Sequence, residues 1–358
     1  MDSKTIDRIA EYFEGLSGNI ALGVDGYIDE VWQVLKARAG RDEYTLYEKM
    51  KEFGEAIIKC ESGGFTQEII FKRRSHGGFT GNTGLALGRL GAAPVLIGMY
   101  GKNGIDPLFD KFSGICELIS VSDPGKCQIL EFQDGKIMLP YVEKVVDFGW
   151  DDFEDNIDKI GRAFLAADII AIGYWSSVPA FDEFVSRICE NYIENGKCRR
   201  MFFDFGDLRK RDEKSLEYTL ERLAELNKTV PMTLSFNENE TSQLLSHYGE
   251  EFDESKLEET VLAIRKRISL DELIIHTPFT AVVSSEVEGV TAVKQQHYPS
   301  PVITAGAGDT FNGGYIAGLL CGMDAHDRLL TANAATRFYV SNGFPPERND
   351  IINSLVLY

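Results

Sequence analysis

Six cysteines (60, 116, 127, 189, 198 and 321) form neither a Cys-x-x-Cys pair nor a dense framework. That pattern gives no basis for a zinc ribbon or a disulfide scaffold, and reduced thiols in a cytoplasmic protein are expected. Long hydrophobic runs are missing too. The longest apolar stretch, 163–175, is broken by Asp168 and is too short to cross a bilayer. The opening residues, Met1-Asp2-Ser3-Lys4-Thr5-Ile6-Asp7, lack an apolar core, so no secretory signal is expected there. Basic residues are outnumbered, 37 against 56 acidic, and the formal charge of −19 speaks against a nucleic-acid or anionic-membrane surface. It leaves room for an anionic nucleotide, which needs only local positive potential. No internal repeat or low-complexity linker interrupts the chain.

What is present describes a globular chain: 358 residues, 44% hydrophobic and 26% charged, enough for a sizeable core. By length alone one large α/β domain and two domains are both open. The most informative stretch is Ile303-Thr304-Ala305-Gly306-Ala307-Gly308-Asp309-Thr310-Phe311-Asn312-Gly313-Gly314, followed by the apolar Tyr315-Ile316-Ala317-Gly318-Leu319-Leu320. It reads as a glycine-rich loop feeding a helix. The first N–H groups of a helix lack internal partners and sit at the positive end of the dipole, so such a turn binds anions. Asp309 is anomalous there, because a carboxylate repels phosphate. It makes sense if it accepts a proton from a substrate hydroxyl while the N–H groups hold a transferring phosphoryl group. The plainer reading is a helix capped by a carboxylate, with glycines as packing spacers.

Residues 304–311 resemble the C-terminal signature of the ribokinase-like (PfkB) carbohydrate kinases, whose usual form is Asp-Thr-Thr-Gly-Ala-Gly-Asp-Thr-Phe. The resemblance implies a three-layer α/β sandwich with a mostly parallel central sheet plus a small β lid. It would form one domain over 1–358, with the lid built from about 30–75 and 125–145. It also implies that Asp309 is the catalytic base and that the amides of Gly306, Ala307 and Gly308 form the anion hole. ATP is then the phosphoryl donor, Mg²⁺ the metal and a sugar the acceptor.

Two further motifs fall in the family's order. Ile20–Val24 reads as a first strand opening onto Asp25-Gly26-Tyr27-Ile28-Asp29, and the resemblance makes Asp25 and Asp29 sugar-binding; a solvated acidic turn reads as well. Gly77-Gly78-Phe79-Thr80-Gly81-Asn82 looks like the N-terminal signature, with Gly77, Gly78 and Asn82 toward the sugar. Thr80 stands where that signature has Gly, Ala or Pro, and a tight turn before a packed helix is the alternative. Phe65–Lys72 and a hairpin on Asp134-Gly135, joining 127–132 to 136–141, lie outside the α/β alternation and suggest the lid, with a homodimer formed through it.

Buried strands are expected at 94–100, 168–173, 201–205 and 232–236, and further strands at 272–277 and 280–284. Asn237-Glu238-Asn239-Glu240 matches an Asn-x-x-Glu motif whose Glu240 orders Mg²⁺ through water; it is also a capping box. Asn237, Thr277 and Asn333 are the expected nucleotide contacts. Asp204, Asp207 and Arg209 resemble an Asp-x-Asn-x-Arg segment with one extra residue, and their role stays open beside a plain helix-start turn. Tyr174-Trp175 is expected to help select the sugar. A nucleoside kinase, an ADP-dependent variant prompted by His276-Thr277-Pro278, and a non-catalytic sugar-binding regulator are the alternatives. Many relatives hold potassium with the Asp that opens the signature; here that position is Ile303, so little potassium dependence is expected.

Overall fold

A computed structural model describes residues 2–60 and 63–356. Its centre is a nine-stranded sheet in the order β14-β13-β12-β11-β10-β9-β1-β5-β6. The strands are β1 (Ile20–Val24), β5 (Val95–Met99), β6 (Glu117–Ser122), β9 (Ile169–Gly173), β10 (Arg200–Asp204), β11 (Met232–Asn237), β12 (Glu272–His276), β13 (Thr280–Ser285) and β14 (Gly289–Lys294). From β12 to β6 all pairings are parallel, and β13 and β14 close one edge antiparallel. Strands covered on both faces read as continuous apolar runs. In β9, Ile169-Ile170-Ala171-Ile172-Gly173 is accordingly buried throughout.

Helices cover both faces. One layer holds α1 (Ser3–Glu14), α3 (Phe79–Arg89), α10 (Ala307–Cys321), α11 (Ala325–Asn342) and α12 (Arg348–Val356) over a core that includes Ile9, Leu87, Ile316, Leu329 and Ile351. The other holds α5 (Ile157–Ala166), α6 (Phe181–Ile188), α7 (Glu213–Leu226), α8 (Glu238–His247) and α9 (Leu257–Ile268) over Phe164, Phe184, Leu220, Leu244 and Val261. The short α2 (Met50–Ile58) and α4 (Glu143–Val146) lie outside these layers. No helix among the described residues is long and apolar enough to cross a membrane.

A second, five-stranded sheet stands at one end. It is built from β2 (Tyr27–Arg38), β3 (Tyr44–Leu46), β4 (Ile69–Gly77), β7 (Gly125–Phe132) and β8 (Gly135–Tyr141), with β2 pairing β3, β4 and β7. Val34, Leu130 and Phe132 pack with Phe53 of α2, and Val31, Cys127 and Ile129 form a separate small cluster.

The hairpin expected on Asp134-Gly135 forms as β7–β8. The strand expected at 65–72 starts later, at Ile69, and runs into Gly77. α2 begins only at Met50, because Tyr44–Leu46 pairs with β2 as a short strand. Expectation missed β2 and β3 of the second sheet, and β6 and β14 at the two edges of the central one. In β14 only Val293 is buried, so no continuous apolar run marked it.

Candidate active site

The site forms where the C-terminal ends of the parallel strands meet the start of α10, the place such sheets leave open for ligands. Gly306 caps α10 with φ of 82°, a left-handed conformation natural to glycine, and a Cβ there would fall 2.8 Å from the Tyr339 hydroxyl. Of the three expected anion-hole amides, that of Ala307 donates to the Thr304 carbonyl at 3.2 Å. The N–H groups of Gly306 and Gly308 have no backbone acceptor among the described residues, nor has that of Asp309. The turn therefore spends one of its expected donors on its own shape and leaves others free for an anion.

Asp309, in the first turn of α10, is only 4% exposed. Its Oδ1 accepts from the Tyr174 hydroxyl at 2.7 Å and its Oδ2 from the Asn82 side-chain amide at 2.8 Å. Burial pushes its pKa up to about 6, against the opposing pull of the Tyr174 and Asn82 hydrogen bonds. It is thus poised to exchange a proton near neutral pH.

Three cavities converge on this point. A cleft of about 590 Å³ is lined by Asn237, Thr277, Pro278, Tyr298, Gly308 and Arg337, among others. A central cleft of about 310 Å³ holds Tyr174, Asp204, Asp207, Lys210, Glu240 and Asp309. A third, of about 360 Å³, extends toward the second sheet along Asp29, Ser75, Asn82, Lys111 and Tyr339, and shares Gly306 with the central cleft. A larger, more open groove between α7 and α8 contains none of the expected site residues.

The structure separates residues that the sequence had grouped. Asp29 of β2 lines the third cavity, and burial raises its pKa to about 6. Asp25, by contrast, is fully buried: its two oxygens accept from the N–H groups of Phe79 and Thr80 at 2.9 and 2.8 Å. It anchors the start of α3, a different place from the expected sugar contact. Gly77 and Gly78 make room for these two carboxylates: a Cβ on Gly78 would lie 2.5 Å from Asp25 Oδ2, and one on Gly77 2.8 Å from Asp29 Oδ2. Neither glycine lines the three converging cavities.

On the other side, Asn237 and Glu240 form the reciprocal capping box of α8, at 2.9 and 3.0 Å, and both also line the central cleft. Thr277 lines the large cleft, with its hydroxyl engaged by Glu254 and the following turn. Asn333 is fully buried inside α11, one turn before the lining residues Thr336 and Arg337, and does not reach the cleft wall. Trp175 is likewise a core residue, donating to Thr219 at 2.7 Å, so of the expected pair only Tyr174 faces the site. Asp207 and Lys210 line the central cleft, while Arg209 turns back onto Asp207 at 2.8 Å.

A model of the prokaryotic ketohexokinase family matches residues 3–358. The chain belongs to that family. It is 26% identical over 341 residues to a ketohexokinase of Haloferax volcanii, covering 93% of this chain and 90% of that one. It is an ATP-dependent sugar kinase, a phosphotransferase with an alcohol acceptor. The nucleoside-kinase and non-catalytic readings give way to this. The fold is that of ribokinase from Arabidopsis thaliana (TM-score 0.64, 15% identity, 94% of this chain and 98% of that one). Phosphofructokinase-2 from Escherichia coli shares it as well (TM-score 0.62, 12% identity, 95% and 99%).

Sequence reasoning missed or left open several residues of this kinase's cleft. Tyr174, expected only to help select the sugar, directly follows β9 and reaches Asp309. Asp204, at the end of β10, accepts from Asn312 at 2.7 Å and from the Gly206 N–H at 2.9 Å. Burial, then the neighbouring Glu240 and Asp309 charges, raise Asp204 well above the usual carboxylate range. Burial raises Glu240 to about 7. Carboxylates that disfavour one another's ionisation fit a divalent cation, a hard acceptor for oxygen ligands. They do not converge as a tight triad: among the described residues the one such group is Asp324, His326 and Asp327, where Arg8 already pairs with Asp327 at 2.6 Å. A cation in the cleft would then be held partly through water.

Proposed function

We propose that the acceptor is a ketohexose, bound between the second sheet and Asp309, and that Asp309 removes the proton from the hydroxyl that receives the γ-phosphoryl group of ATP. The observation that carries this is the buried Asp309 carboxylate, fixed by Tyr174 and Asn82 where three cavities meet. The nucleotide lies in the large cleft along Asn237 and Thr277, and the acceptor in the third cavity against Asp29 and Asn82. The free amides of Gly306 and Gly308 at the start of α10 take up charge that spreads over the transferred group. Glu240 and Asp204 would hold Mg²⁺, partly through water. Bound there, the ion would neutralise phosphate charge during transfer. The reading draws support from the family match, the ketohexokinase relative and a donor set suited to a hard cation.

In this reading the second sheet is a lid. It excludes water from a phosphoryl group that would otherwise hydrolyse. Ketohexokinase activity is tested by coupled ADP release over ketohexoses, aldohexoses, pentoses and nucleosides, with and without a metal chelator. A ketohexose should give the highest kcat/KM, and chelation should abolish turnover. Preference for an aldose or a nucleoside would overturn the acceptor, and metal-independent turnover would overturn the role given to Mg²⁺.

A further inference from the structure

The large cleft and the central cleft share four lining residues: Asn237, Thr304, Gly308 and His276. A donor whose base occupies the first and whose terminal phosphoryl group reaches Asp309 in the second must pass all four. His276 is the last residue of β12, in register with Asn237 on β11. Its ring lies nearly flat on Phe311 of α10, with centroids 4.5 Å apart and planes 22° apart. Its Cε1–Nε2 edge faces the start of that helix: a Cβ built on Gly308 would stand 3.5 Å from Cε1 and 3.9 Å from Nε2. No described residue hydrogen-bonds either ring nitrogen, and the half-buried side chain lines both clefts.

An imidazole clamped against a helix, with free nitrogens at the neck between two cavities, is built to meet a ligand. Polar groups in such enclosed positions are otherwise paired within the protein. We infer that His276 donates a hydrogen bond to the phosphate chain of the nucleoside triphosphate, holding it across the start of α10; this rests on the kinase reading above. Burial lowers the ring's pKa to about 4, so at neutral pH it is uncharged, with one N–H to give. A neutral imidazole can act as a fixed donor without adding charge.

His276→Phe keeps the stack on Phe311 and removes both nitrogens. Loss of one hydrogen bond to a charged group corresponds to about ten- to a hundredfold. The variant should lose that factor in kcat/KM for ATP, with the acceptor KM within twofold of wild type. Its affinity for ADP should fall more than its affinity for AMP, because AMP lacks the β-phosphate. His276→Gln, which retains a neutral N–H, should recover part of the loss. Should the Phe variant fail to fold, the Gln variant decides by the same ADP-to-AMP comparison against wild type. A Phe variant equal to wild type, or one losing acceptor and nucleotide affinity alike, overturns the inference. If the preferred acceptor proves not to be a ketohexose, the measurements run with whichever sugar is turned over. The donor-side split then still stands or falls by itself.

Discussion

Asn82 of α3 and Asp309 of α10 are 227 residues apart in sequence and joined by a 2.8 Å hydrogen bond. With the Tyr174 hydroxyl on the other oxygen, Asn82 favours the ionised carboxylate that burial disfavours. A base works deprotonated, so kcat should rise with pH through about 6 and level off above it. Removing a donor to the charged form raises a carboxyl pKa. In Asn82→Ala the acid limb should therefore shift upward by roughly one unit. A limb that stays put, or moves down, would separate Asn82 from the proton transfer. The measurement is a pH–kcat profile at saturating substrates.

Asp309→Asn should bind sugar and ATP while losing ~10²- to 10⁴-fold in kcat. The amide nearly matches the carboxylate in shape but accepts no proton at neutral pH. Calorimetric titration separates binding from turnover. Wild-type kcat in this variant would remove Asp309 from the chemistry.

Asp29 stands on β2, which belongs to the second sheet, yet lines the cavity that reaches Gly306. Asp29→Ala should raise KM for the sugar about ten- to a hundredfold, the cost of one charge-assisted hydrogen bond, and leave KM for ATP nearly unchanged. Because burial places its pKa at about 6, sugar affinity in the wild type should also weaken below that pH. Equal effects on both substrates would place Asp29 outside the sugar site.

The second sheet leaves Phe71, Met138, Leu139 and Tyr141 exposed, and its outer strands β3 and β8 have open edges. Open edges invite pairing, and closed two-fold symmetry is its commonest outcome. A homodimer through this sheet is expected by light scattering at micromolar concentration, and Leu139→Lys should weaken it. A monomeric wild type would refute the arrangement.

How much of this was legible beforehand follows physical lines. Continuous apolar runs such as 169–173 announced the parallel core, because strands buried on both faces leave no polar positions. The glycine-rich turn at 306–308 announced the left-handed cap that starts α10, because few residues other than glycine tolerate that geometry. Asp25 and Asn333 were placed by motif, and a motif does not say which way a side chain turns. Asp25 is consumed by the N–H groups of Phe79 and Thr80, and Asn333 is sealed within α11. Tyr174 and His276 could not be found by spacing, since their neighbours Asp309 and Phe311 come from a distant helix.

The final prediction concerns monovalent cations. A large, weakly hydrated cation needs several oxygen ligands, and the loop before α10 is the natural supplier. Ile303 offers no side-chain oxygen there. Three of the loop's carbonyls already accept hydrogen bonds: Thr304 from the Ala307 N–H at 3.2 Å, and Ala305 from the Tyr339 hydroxyl at 2.6 Å. Gly306 accepts from the Thr310 hydroxyl at 2.9 Å. With no formal negative charge at 303 and the carbonyls of 304, 305 and 306 hydrogen-bonded internally, the loop is held by protein groups. The rate should be nearly the same in potassium, sodium and tetramethylammonium salts at fixed ionic strength. Tyr339→Phe frees the Ala305 carbonyl and should lower kcat in all three salts. A tenfold or greater rise specific to potassium in the wild type would show that another group completes a cation site.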